Sequence, residues 1–258
     1  MSGDPHWNYA QARMQARHGD RLQEADWHAL AAVQTADSYV ERARATSLRR
    51  FSEPVTAGMN SHAIERALRG AWRAYVEEVA SWLPTAWRPA VMWTAVLPDL
   101  PVIDALLKGE TPAWTRQDPQ LAMFAETDAT QRLANLQRST LAPLLPDADG
   151  TPTLGLRWAR HWRALWPKQS AADARALNAL ARAVEAHIER LANAGSHESS
   201  ATHRRALERS VTRLFRRHPA SPAAVFSHLV LVALDLERLR GGIVRRRLFE
   251  PTQRRQAA

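Results

Sequence analysis

The sequence predicts an all-α fold, a bundle-like array of about eight to ten helices, and three observations point there. Apolar residues recur three and four positions apart through most of the chain. The alternating pattern of a half-buried strand is nowhere convincing. Prolines and glycines fall between the periodic stretches, where helices stop.

Residues 7 to 50 read as helical, with Ala10, Met14, Arg17 and Arg21 at helical spacing and Asp26 placed to cap a second helix through Leu30 and Val33. Pro54 and Gly58 break that pattern. Ser61 is placed to cap a helix carrying Ile64, Leu68, Trp72, Tyr75, Val76 and Val79 on one broad face. Trp87 to Val96 forms an apolar segment ended by Pro98, and Val102 to Lys108 a short helix terminated by Gly109. Ala122 to Leu145 is helical with an interruption at Pro143, and Pro146 to Pro152 is a loop. Leu154 to Trp166 sets Trp158, Trp162 and Trp166 on one helix face. Ala171 to Ala194 is an amphipathic helix closed by Gly195, and Glu198 to His218 is the next. Pro222 then opens the last helix, apolar to Leu234 and charged from Asp235, with Gly241-Gly242 marking its end before Arg245-Arg246-Arg247.

At 258 residues the chain is expected to fold as a single domain, residues 1–258, able to bury a real core. It divides into repeat units near 61–109 and 204–247, a Trp-rich middle section over 118–195 and a basic tail over 245–258. The absence of cysteine excludes disulfides, thiolate metal sites and a cysteine nucleophile. No apolar secretory signal stands at the start, and the most apolar run, Ala223 to Leu234, is too short to span a bilayer. These features predict a cytoplasmic protein, peripheral to a membrane at most. The net charge of +9 rests on 33 arginines and only two lysines, Lys108 and Lys168. Such a balance suits nucleic acid, anionic lipid or an acidic protein, and it is equally what a GC-rich genome writes in place of lysine.

The repeat rests on the order of four features. Ala63-Ile64-Glu65-Arg66 and Ala206-Leu207-Glu208-Arg209 open two helices, and proline-bearing breaks follow at Pro84/Pro89 and Pro219/Pro222. Apolar helices then begin Ala90-Val91-Met92 and Ala224-Val225-Phe226. They run into Asp99, Asp104 and Gly109 in one case, Asp235, Glu237 and Gly241 in the other.

Three stretches resemble the central-stalk family of V-type and A-type rotary ATPases, whose members join the central shaft to the membrane rotor ring. Tyr9-Ala10-Gln11-Ala12-Arg13-Met14-Gln15-Ala16-Arg17, with Arg21-Leu22 and Asp26-Trp27, is similar to that family's opening helix. Residues 63 to 109, ending in Lys108-Gly109, are similar to its first unit, and residues 222 to 247 to its last. The chain is shorter than the usual member, its Trp-rich section is unfamiliar, and it lacks the asparagine often found before the Leu239-Arg240 step. The resemblance implies a funnel of related helical units, no active site of its own, and partners in the rotor ring and central shaft. It implies a place at the cytoplasmic face of the inner membrane, in proton or sodium transport. The interface residues expected on this basis are Arg13, Arg17, Lys108, Asp235, Glu237, Arg238, Arg240, Arg245, Arg246 and Arg247.

The residues themselves offer little else. There is no phosphate-binding glycine loop, and His197-Glu198 followed by His203 is not the spacing that places two imidazoles on one metal. His161 between Trp158 and Trp162 reads as a stacked or core-edge histidine. No glycine elbow surrounds a serine. No catalytic, cofactor-binding or metal-ligating residue is expected, and no cofactor. The tryptophans read as core, with one or two available to a partner groove. Arg245 to Arg247 and Arg254-Arg255 read either as a solvated end or as a segment drawn to anionic headgroups. The alternative to a stalk protein is a basic all-α interaction protein that binds nucleic acid or an acidic protein partner.

Overall fold

A computed structural model describes residues 5–118, 121–126, 128–146, 153–193 and 197–249. Among these there is no strand, and the fold is all-α. Twelve α-helices appear where about eight to ten were expected, because turns and prolines divide several stretches into short pieces. They are α1 (Pro5–Gly19), α2 (Glu24–Ala31), α3 (Ala36–Arg44), α4 (Arg49–Ser52), α5 (Ser61–Ser81), α6 (Arg88–Met92), α7 (Leu100–Leu107), α8 (Ala129–Gln137), α9 (Leu154–Ala164), α10 (Ala171–Asn193), α11 (His197–Arg217) and α12 (Pro222–Phe249).

Contacts divide the chain into two compact units, Met1–Pro84 with Arg204–Ala258, and Thr85–His203. These units do not follow the expected repeats. The stretch 61–109 is shared between them, while 204–247 lies wholly in the first.

In the first unit α12 is the central element, packed against α1, α3 and α5. Its residues from Pro222 to Leu229 are all buried, the outcome for a helix apolar on every side. The helix starts are set by local chemistry. The Thr35 side chain accepts from the Ser38 amide ahead of α3. Asn60, rather than the expected Ser61, caps α5 by accepting from the Ala63 amide at 2.9 Å. Asp26 lies inside the first turn of α2, where its carboxylate accepts from the Gln23 amide at 2.8 Å.

The glycine pair does not end α12. The helix passes through Gly241 and Gly242 to Phe249, because the second glycine serves packing instead. A Cβ at Gly242 would fall 2.3 Å from Tyr39 Oη, so only glycine lets α3 approach so closely.

The second unit is built on tryptophan and aliphatic contacts. Trp93 Nε1 donates to the Trp158 carbonyl at 3.0 Å, and Trp158 Nε1 returns the bond to the Trp93 carbonyl at 3.3 Å. Trp158 stacks on Trp162 with centroids 5.6 Å apart, and His161 stands edge-on to Trp93 at 4.5 Å, the core-edge place its spacing suggests. Leu106, Leu121, Phe124 and Leu136 form a buried cluster in the same unit. A Cβ at Gly155 on α9 would fall 2.8 Å from Ile188 on α10, so these helices also meet at a glycine.

After Pro84 the apolar helix expected to begin at Ala90 is only a short α-helix, while a second short helix stands where Val102 to Lys108 was expected. Thr85–Leu107 has the length and composition to cross a membrane, more so than Ala223 to Leu234. Here it is α6, a 3₁₀ segment over Trp93–Asp99 and α7. Pro98 lies inside the 3₁₀ segment and Pro101 in the first turn of α7, where the missing amides cost least. Gly109, at φ +89°, closes α7 as expected. The stretch Ala122 to Leu145 keeps only α8 as α-helix, with 3₁₀ turns at Ala122–Phe124 and Ala142–Leu144. The loop 147–152, Gly195 and the tail from 250 lie outside the described residues.

Candidate functional site

The charged residues singled out in the sequence concentrate in the first unit, where α1, α5 and α12 meet. Helix α1 and the turn after it present Arg13, Arg17 and Arg21 along one side, four positions apart. Arg21 reaches α12 and holds both carboxylate oxygens of Asp235, from Nε at 2.7 Å and from Nη2 at 2.8 Å. The same Nη2 donates to Glu208 on α11 at 3.0 Å. Both members of the Arg21–Asp235 pair are largely enclosed, with side-chain exposures of 11% and 12%. Burial pushes the Asp235 carboxyl up and the bonds from Arg21 pull it back; the two-point geometry is that of an ionised pair.

Glu78 on α5 receives three guanidinium groups: Arg17 at 2.6 Å, Arg13 at 3.4 Å and Arg50 from α4. Burial pushes this carboxyl up, and the bonds from Arg50 and Arg17 outweigh it and hold it below the usual range. Arg17 also lies over the Trp82 ring at 4.7 Å and the Tyr75 ring at 5.2 Å, so aromatic faces take part of its charge.

Further along α12, Glu237 pairs with Arg204 at 3.3 Å. Arg238 binds both oxygens of Glu24 at 2.9 and 2.8 Å and covers Trp27, while Arg240 holds both oxygens of Glu65 from Nε at 2.6 and 2.7 Å. Arg247 donates to Asp37 at 2.8 Å. Lys108 stands apart in the second unit, exposed and paired with Asp104 one helical turn back at 2.5 Å.

Arg246 departs furthest from the expected solvated tail. It is buried over the Tyr39 ring at 4.1 Å and donates to the carbonyls of Val33 at 2.7 Å, Ala31 at 2.8 Å and Leu30 at 3.2 Å. Those carbonyls lie at the end of α2, where bonding within the helix runs out, and a cation suits the negative end of a helix. Of the 245–247 cluster, Arg245 alone is exposed without an ion pair among the described residues.

A cavity of about 660 Å³ opens beside these pairs, lined among others by Arg17, Arg21, Leu48, Arg50, Tyr75 and Asp235. Tyr75 Oη shares a hydrogen bond of 2.5 Å with His228 Nε2 on α12. Burial, reinforced by Arg17, His18 and Arg21, lowers the His228 imidazole to about 3, so it is neutral at ordinary pH. The arginines around the cavity are each matched by a carboxylate, an arrangement that ties neighbouring helices together.

No family model, curated protein or solved structure matches this chain.

The sequence picks out Arg13, Arg17, Asp235, Arg238 and Arg240 without their partners. Arg21, Glu78, Glu24 and Glu65 escape notice as partners because pairing across 61 to 214 positions leaves no local trace. His228, a lone histidine in the most apolar run, is the available signal for the Tyr75 pair.

Proposed function

We propose that this chain is a non-catalytic, torque-transmitting part of the central stalk of a V/A-type rotary ATPase, joining the membrane rotor ring to the shaft. The observation that carries this reading is the set of arginine–carboxylate pairs tying α1 to α5 and α12. Residues 9–27 and 222–247, two of the three stretches that resemble the stalk family, are thereby joined by Arg21–Asp235 and Arg238–Glu24. Two-point pairs resist sliding of one helix along another, and the close-packed apolar residues of α12 resist compression. Together they suit a part that passes torque and performs no chemistry. Its partners are the rotor-ring and shaft proteins, its place is peripheral at the cytoplasmic face of the inner membrane, and the ion moved is a proton or sodium.

The test is co-purification. The tagged full chain, extracted with its membrane in mild detergent, is expected to bring down the catalytic and ring components of a rotary ATPase. Deleting the chain is expected to abolish ATP-driven ion uptake by vesicles. Recovery of the chain without any ATPase component overturns the reading.

A further inference from the structure

Much of the positive charge of this chain is consumed internally, since Arg17, Arg21, Arg238, Arg240 and Arg247 each face a carboxylate. Helix α11 carries a group of arginines outside such pairs. Arg205, Arg209, Arg213, Arg216 and Arg217 are all exposed, and none has a carboxylate within ion-pair distance among the described residues. At about 100° per residue the first four fall within an arc of about 80°, and at about 1.5 Å per residue they extend over about 16 Å. They form a straight row. Glu208 turns away from it to bond Arg21. Arg213 Nη2 donates to Ser210 Oγ at 3.4 Å.

The remaining exposed residue between 201 and 217 is Thr202, so the face carries no apolar or aromatic anchor. Protein interfaces are organised around such anchors, and single-stranded nucleic acid is held by stacking on aromatic rings. Duplex backbone fits poorly for a geometric reason. A strand completes a turn in roughly 34 Å, so over about 16 Å it passes nearly half-way round the axis and leaves a straight row. A planar array of anionic headgroups meets every member of the row at once.

We propose that the exposed face of α11 is a docking surface for an anionic phospholipid bilayer, with Arg205, Arg209, Arg213 and Arg216 lying along the phosphate layer and Arg217 at its edge. Association is electrostatic, reversible and without insertion, because nothing apolar is present to enter the hydrocarbon. The pairs on α1, α5 and α12 use other residues, so this surface does not depend on the stalk role.

The experiment is co-sedimentation of the full chain with phosphatidylcholine vesicles, with and without phosphatidylserine. Binding is expected only with the anionic lipid, and to fall steeply as salt shortens the screening length from about 10 Å at 0.1 M toward about 3 Å at 1 M. Arg209→Gln with Arg213→Gln is expected to weaken partitioning about 25-fold, at about fivefold per arginine. Arg209→Lys with Arg213→Lys keeps the charge and retains most of the binding, and circular dichroism verifies the fold of each variant. Arg245→Gln, which removes an exposed arginine of α12, is expected to leave binding within about twofold, since its charge lies off the row. Equal binding to neutral vesicles, an unchanged double glutamine variant, or tighter binding to a labelled DNA duplex or RNA strand than to anionic vesicles each overturns the proposal.

Discussion

The two compact units are both helical, but they are held by different physics. In the first, helices distant in sequence are joined by guanidinium–carboxylate pairs: Arg21 to Asp235, Arg17 to Glu78, Arg238 to Glu24, Arg240 to Glu65. In the second, the Trp93–Trp158 bonds, the Trp158–Trp162 stack and the cluster around Leu106 and Leu136 carry the packing, with Arg163–Glu185 at 2.8 Å as a charged pair between α9 and α10. Apolar burial fixes that surfaces meet; directional pairs also fix where along each helix they meet. A unit that keeps its helices in register under load gains from the second device.

Breaking each kind of contact separates the two. Trp158→Ala removes a buried ring whose neighbours cannot close the space, and a loss of about 3–5 kcal/mol is expected in urea unfolding at any salt concentration. Asp235→Ala leaves Arg21 buried against Glu208 alone and is expected to cost about 3 kcal/mol or more. Replacing both partners, as Arg21→Met with Asp235→Leu, is expected to recover most of that loss, since two apolar chains can fill the same volume. A double variant no more stable than the single one would mean that the pair supplies more than its own neutralisation.

Acid should act on the first unit through His228. Below about pH 6.5 the unfolded chain binds a proton that the folded chain refuses until about pH 3, so folding weakens as pH falls through that window. Between pH 6.5 and 5 the loss is expected to be on the order of 2 kcal/mol. The lowered His18 imidazole, desolvated and beside Arg21 and Arg216, acts in the same direction. Denaturation curves across this range measure the slope, and His228→Gln should flatten it. The smallest effect belongs to the open rim. Arg238→Ala, whose pair with Glu24 is solvated, is expected to cost no more than about 1 kcal/mol and to lose that difference at high salt.

Much of this fold was legible in the sequence. Period and punctuation located α5, α7, α9, α10, α11 and α12, and Gly109 and the Trp158–Trp162 spacing behaved as local rules predict. What local rules could not foresee was tertiary. Gly241-Gly242 looks like a helix stop, but Tyr39, some two hundred positions earlier, needs the space and α12 continues. Arg246 looks like a solvated tail residue until the end of α2 lies beneath it. Of the ten residues expected at an interface, Lys108 lies in the second unit and the other nine in the first, where partners such as Glu78, Glu24 and Glu65 carry no local signal in the sequence. The α11 row was overlooked because its arginines stand out only once the others have been paired.

The first unit is assembled from both ends of the chain, with Arg21 bonded to Asp235 across 214 positions. A ribosome releases α1 to α5 long before α12 exists, so these helices emerge with their arginines facing water and their apolar faces uncovered. The second unit is one continuous stretch, Thr85 to His203, so its contacts can form before α12 is made. Folding therefore runs from the middle outward, and α12, made after α1 to α11, supplies the surface against which α1, α3 and α5 pack.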